Sequence, residues 1–246
     1  MRKITRLFFY PLTVIGIFVM FIISCKKDKN DSPTYGRTNA VFNPGFKYGT
    51  VTDIDGNTYK TITIGTQTWM AENLRTTHYR SGEIIPEVID NSAWNALTSG
   101  AYCNYNNTRN NDSIAIFGRL YNFYAASDSR NVAPAGWHVP SQTEWTTLIT
   151  YLGGPSIAGD KLKETFTIHW NSSSAGTNES GFTALPGGFR NSFFLFFGIG
   201  EIGTWWGTTA NTNTAFSEML LSNSGSVQGS QSVTLDIGFS IRCIKD

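Results

Sequence analysis

The chain has 246 residues, 19 basic against 18 acidic, with 40% hydrophobic and 14% aromatic content. With Arg2, Lys3 and Arg6 of an N-terminal basic patch set aside, 16 basic residues face 18 acidic ones. That balance argues against nucleic-acid binding, which needs a clustered positive surface. The apolar content supplies a core for one domain of about 200 residues, and frequent Gly and Asn favour short strands and loops over long helices.

Leu7 to Ile23 carries no charge and runs into Ile22-Ile23-Ser24-Cys25. A basic patch, an apolar run and a small residue at the cut are the parts of a secretory signal. A Cys directly after the small residue predicts a lipoprotein signal over 1–24 and an acylated Cys25. The competing reading is a transmembrane anchor, but ~17 apolar residues are at the lower limit for a span and Pro11 weakens the first turn. Lipid on Cys25 would make the membrane a partner and place the protein in the cell envelope, at the outer membrane, with each buried CH₂ contributing about 0.8 kcal/mol. Residues 25–48 hold few aliphatic side chains and are expected to be a flexible tether. Ala40 to Phe46 has an alternative, packing on the domain as an extra strand.

The domain proper is expected over 49–246. Asp55-Gly56 between two β-rich runs signals a hairpin. Asp53-x-Asp55-Gly56 resembles part of a calcium loop, but the remaining ligands are missing and it reads as a turn. Trp69 to Leu74 is expected as a third strand. One helix is expected around Gly118 to Ala126, where Leu120, Phe123 and Tyr124 share a face. A second is predicted to start after Ser141, whose spacing to Glu144 makes a capping box. Its stripe is Trp145, Leu148, Ile149 and Leu152, and Gly153-Gly154 ends it. Strands are expected at 182–185, 203–208, 215–221 and 238–245.

Cys103 and Cys243 are the remaining cysteines, and an even pair in an exported chain predicts a disulfide. The alternative is two buried free thiols. His78, His138 and His169 have no partners at metal-ligand spacing, so no metal is expected. No nucleophile elbow or phosphate-binding glycine loop is present, and no cofactor is expected. Glu72, Glu83, Glu87, Glu144 and Asp160 are the acidic candidates for a hydrolytic pair, with nothing in their spacing to join two of them. The Phe193–Phe197 run is read as core in preference to groove lining. A ligand site, if present, is expected on loops of the second half, near 190–197 and 205–211. There Arg190, Trp205 and Trp206, beside Asn191, Asn211 and Asn213, combine aromatic faces with amides that suit sugars.

Several ordered blocks carry a family resemblance from Gly49 to Asp246. They include Asp53-Ile54-Asp55-Gly56-Asn57-Thr58-Tyr59, Trp69-Met70-Ala71-Glu72-Asn73-Leu74, Tyr102-Cys103-x-Tyr105-x-Asn107 and Gly118-Arg119-Leu120-Tyr121-Asn122. They continue with Pro134-x-Gly136-Trp137-His138-Val139-Pro140, Ala184-Leu185-Pro186-Gly187-Gly188, Trp205-Trp206 and Gly238-Phe239-Ser240-Ile241-Arg242-Cys243. In these the chain resembles the Fibrobacter succinogenes major paralogous domain family, found in exported proteins and lipoproteins of Bacteroidetes-like bacteria, for which no reaction is established. Residues 193–197 are richer in Phe than that pattern. More distantly, Gly136 to Trp145 and the closing block are similar to formylglycine-generating, sulfatase-modifying domains. That likeness implies an α+β, C-type-lectin-like fold of short antiparallel sheets, two main helices and long loops. Their Asn-Val-x-Glu-Trp block is absent, so their chemistry is not carried over.

The function expected is therefore a cell-envelope lipoprotein with a non-enzymatic domain that binds glycan or peptide. The alternatives are a structural or adhesive surface protein, and an enzyme of the formylglycine-generating or glycosidase kind. The oligomeric state is left open.

Overall fold

The computed structural model describes residues 36, 38–171, 176–193 and 195–246. The expected signal and Cys25 lie outside the described residues. No helix of the described residues is long and apolar enough to cross a membrane.

The fold is α+β and is built on two five-stranded sheets. The first takes β1 (Gly49–Thr52), β2 (Thr58–Ile64), β3 (Gln67–Met70), β12 (Ile244–Lys245) and β6 (Trp137–His138) in that spatial order. Its strands are antiparallel, and the late strand β12 is inserted between two earlier ones. The second runs β11 (Val227–Thr234), β10 (Thr214–Leu221), β9 (Ile202–Ala210), β7 (Gly187–Arg190) and β8 (Phe196–Ile199). Its β7–β9 pair is parallel. A small ladder joins β4 (Tyr102–Cys103) to β5 (Leu120–Tyr121).

The expected hairpin forms, with Thr52 opposite Thr58 and Gly56 at φ +82°. The capping-box helix also forms, as α4 (Gln142–Tyr151). The Ser141 hydroxyl accepts from the Glu144 amide at 3.3 Å, and the Ser141 amide donates to Glu144 at 2.7 Å. Trp145, 1% exposed, is driven between Trp69 and Trp205, with ring centroids 4.8 and 6.3 Å away. Tilted aromatic packing of this kind adds about 0.5–1.5 kcal/mol per pair beyond area burial.

Elsewhere local pattern gives way to tertiary contact. The helix expected over 118–126 shrinks to α3 (Phe123–Ala126), because Leu120 and Tyr121 pair as β5 with Cys103 and Tyr102. The Asn122 side chain then starts the helix by accepting from the Ala125 amide at 3.0 Å. Three further helices form: α1 (Asn91–Asn95), α2 (Asn111–Phe117) and α5 (Pro155–Leu162), the last entered through its proline. No strand forms at 182–185, and the closing strand is confined to β12. The third strand stops at Met70.

The last part of the expected tether is docked. The Val41 amide donates to buried Glu164, and His169 bridges Glu164 at 2.6 Å and Asn39 at 2.9 Å. The Tyr48 hydroxyl donates to the Gly181 carbonyl at 3.0 Å, and Phe42 and Tyr48 pack on the apolar cluster around Trp145. No strand is made here.

His138 joins the α4 cap to the C-terminal residue through Glu144 at 2.8 Å and Asp246 at 2.7 Å. Burial works to lower its pKa, but the bonds to Asp246 and Glu144 outweigh burial and raise it above 6.5. Burial works to raise the Glu144 pKa, and the bonds from Ser141 and His138 instead lower it below 4.5. The pair therefore stabilises the fold fully between pH 4.5 and 6.5, the ordinary values of the two groups. Its contribution fades above that window as His138 loses its proton, and below it as Glu144 gains one. Urea titrations of wild type and His138→Gln should differ most inside the window and converge at higher pH. A constant difference across neutral pH would show that His138 acts only by packing.

Candidate functional site

A cleft of about 420 Å³ opens beside the β1–β2 turn. Asp53 fixes that turn from inside, accepting from the amides of Asp55 and Asn57 at 3.0 and 2.9 Å and from the Tyr59 hydroxyl at 2.5 Å. This directs Asp55 toward the segment after β3. There Asp55 accepts from the Thr76 hydroxyl at 2.9 Å, the Thr77 amide at 2.5 Å and the Thr77 hydroxyl at 3.0 Å. Its other oxygen lies 2.5 Å from Nδ1 of His78. Burial tends to raise the Asp55 pKa, and these hydrogen bonds override it to a net lowering. Asp55 is therefore ionised at neutral pH. A carboxylate at Nδ1 holds a proton on that nitrogen and orients the ring.

The opposite wall comes from residues 87 and 102–119. Arg119 is buried, donates to the Arg75 carbonyl at 2.9 Å and to Asn104 Oδ1, and lies 4.7 Å from the Tyr102 ring centroid. Asn104 in turn donates to the Thr108 carbonyl at 2.8 Å and to Glu87 at 3.4 Å. Asn106 and Asn107 adopt positive φ, a conformation Asn tolerates better than most residues. The loop then closes at Asn110, which caps α2 through the Ser113 amide at 3.0 Å. Arg109 and Glu87 lie exposed at the rim. The cleft thus sets two carboxylates, two guanidinium groups, an imidazole and two amides side by side, several of them already oriented by the chain.

A family model described as the Fibrobacter succinogenes major domain matches residues 62–245. The chain belongs to this family. No curated protein and no solved structure matches it. The match takes in the Thr77-to-Arg119 wall of the cleft, whereas the Asp55 turn precedes it.

Within this family domain the residues singled out from sequence take other roles. Trp205 and Trp206 are 1% and 0% exposed. As neighbours on β9 they face opposite sides, and both sides are covered. Trp205 enters the cluster around Trp145, while Trp206 packs on Phe239 and Phe123. Arg190 is also fully buried, donating to Val88 O and Asn91 Oδ1, both at 2.8 Å, with its guanidinium 4.5 Å from the Trp94 ring. None of the three reaches a ligand surface, and the binding role expected of them is withdrawn.

Of the Phe run, Phe193, Leu195 and Phe197 are exposed, whereas Phe196 packs on the cluster of Trp94, Ala101, Cys103 and Leu120. Cys103 and Cys243 are free thiols buried in separate apolar clusters, so the expected disulfide does not form. Burial pushes both thiols up, Cys103 to about 12.

Of the acidic candidates, only Glu87 lines the cleft. Glu144 serves the cap, Glu72 accepts from the Lys60 amide at 2.5 Å, Asp160 pairs with Lys163 at 3.0 Å and Glu83 with Arg130 at 3.4 Å. No group of three His, Cys, Asp or Glu among the described residues is arranged to hold a metal ion. Sequence reasoning missed Asp55, His78, Arg109 and Arg119 as site residues. The available signal was the density of polar residues in Thr76-Thr77-His78 and in 104–111, both next to family blocks.

Proposed function

We propose that the protein is a cell-envelope lipoprotein, held through lipid on Cys25, whose domain binds a short peptide in the Asp55–Arg119 cleft without chemical change. The observation that carries this reading is the juxtaposition in one cleft of pre-oriented anionic and cationic groups. A peptide presents donors, acceptors and charged ends together, and oriented polar groups lower the ordering cost of binding them. A C-type-lectin-like scaffold is proposed on the α+β architecture, its short sheets and the resemblance of Gly136 to Trp145.

Glycan binding is the second reading. The planar side chains of Asp55, Glu87, Asn104 and Arg109 favour it by matching sugar hydroxyls. Against it, the Tyr102 ring is only 7% exposed and lies against Arg119 and Tyr121, so it offers no open face to a pyranose. The non-enzymatic reading is supported by the Thr77 hydroxyl, which meets His78 on the Nδ1 side, 3.2 Å away, where Asp55 already sits. A nucleophile activated by this imidazole would instead lie at Nε2.

Peptide and glycan arrays probed with the purified protein should give peptide hits. Arg109→Ala and His78→Ala should each weaken the best hit about tenfold, or ~1.4 kcal/mol, without changing the melting transition. Full affinity in both folded variants would remove this cleft from consideration, and hits confined to glycans would favour the second reading. For the anchor, Cys25→Ser should leave the membrane fraction or stay uncut. A processed Cys25→Ser chain still in the membrane would contradict lipidation.

A further inference from the structure

A second cavity lies between α4 and the face of β10 and β11, with a volume of about 250 Å³. Its floor departs from the pattern of the sheet. Phe216 and Leu220 point into the apolar cluster beneath α4, and Glu218 occupies the position between them on β10. Glu218 is 4% exposed, and its Oε2 has no hydrogen-bond partner. Directly opposite on β11 stands Gly229. A methyl there would come within 3.1 Å of Glu218 Oε1 and 3.2 Å of the Phe216 ring, so the missing side chain keeps space open beside the carboxyl.

Among the described residues, no cation lines the cavity around this group. The cavity is lined by neutral side chains apart from Glu218, among them Thr146, Thr150 and Gln231. On α4, Glu144 is taken up by Ser141 and His138. On α5, Asp160 and Lys163 pair with each other and Lys161 reaches Glu179, while β11 carries no charged residue. A buried carboxyl without partners is costly, and a ligand that brings a cationic donor removes that cost.

We propose that this cavity is a second ligand site, specific for a small molecule bearing a primary ammonium group, with Glu218 as the anchor. The ammonium donates to the otherwise unpaired carboxylate, and the apolar remainder lies against Ile149, Pro155 and Phe216. The volume falls below the ~300–1,000 Å³ of drug-sized sites, which limits the occupant to a small amine. Burial raises the Glu218 pKa to about 7. The ammonium selects the ionised form, so affinity rises as pH increases through that value.

Calorimetric titration of the full chain with cyclohexylammonium chloride, and with cyclohexanol as the neutral counterpart, tests this. One-to-one binding is expected for the ammonium, about tenfold tighter than for the alcohol and stronger at pH ~8 than at pH ~6. Glu218→Gln, nearly the same shape, should lose both the tenfold preference and the pH dependence. Gly229→Ala keeps the carboxyl but fills the space beside it, and should weaken the ammonium on its own. The proposal is overturned by absence of binding, by equal affinity for the two probes, or by unchanged ammonium affinity in either folded variant.

Discussion

Arg242 is buried without any exposure and is the charged centre on which the two sheets converge. Its guanidinium donates to Asn73 Oδ1 at 2.8 Å, to the Phe182 carbonyl, and to the Thr183 carbonyl at 2.7 Å, while lying 4.3 Å from the Phe182 ring. Burial lowers its pKa to about 9, which leaves it charged at neutral pH. Desolvating such an ion costs several kcal/mol, and the cost is offset only when its donors are well matched. Asn73 extends the match by accepting from the Trp205 indole at 2.9 Å and donating to the Phe117 carbonyl at 2.8 Å. One amide and one guanidinium thereby tie the β3 exit, β9, the end of α2 and the loop before β7.

The same arrangement places the cleft. Asn73 is fixed at the centre, and the chain leaving it supplies the Leu74 carbonyl to the Arg119 amide at 3.0 Å and the Arg75 carbonyl to the Arg119 side chain. Three residues further on, Thr76 to His78 hold Asp55. The strip from Asn73 to His78, which begins in the core, therefore holds both walls, Arg119 on one side and Asp55 on the other. Polar groups that would be mobile on a free loop are set by backbone that cannot shift without disturbing buried hydrogen bonds, which is the pre-organisation a binding site needs.

What was legible in the sequence follows the range of the interactions. Ser141 and Glu144 satisfy each other within one helical turn, and Asp55-Gly56 closes a turn within a few residues, so both elements could be read directly. Leu120 fits a helical face with Phe123 and Tyr124 equally well, and only pairing with Cys103 and Tyr102 made Leu120 and Tyr121 a strand. The strand β11, Val-Gln-Gly-Ser-Gln-Ser-Val-Thr, has too little apolar alternation to announce itself and forms by pairing with β10 at the sheet edge. Trp205-Trp206 looked like ligand-facing aromatics because sequence shows their size but not that both faces of β9 are covered. The cleft was the least legible feature, since Asp55, His78, Glu87 and Arg119 meet only after the β3 exit has been fixed by Asn73.

The central claim is that Asn73 and Arg242 act as one unit, and a double-mutant cycle in urea tests it most directly. Asn73→Ala and Arg242→Met each strand buried polar partners and should each cost roughly 3–5 kcal/mol. If the two act together, the double variant should be more stable than the sum of the single losses implies, by more than about 1 kcal/mol. Losses that add to within ~0.5 kcal/mol would show that the two residues stabilise the fold independently, contradicting the account.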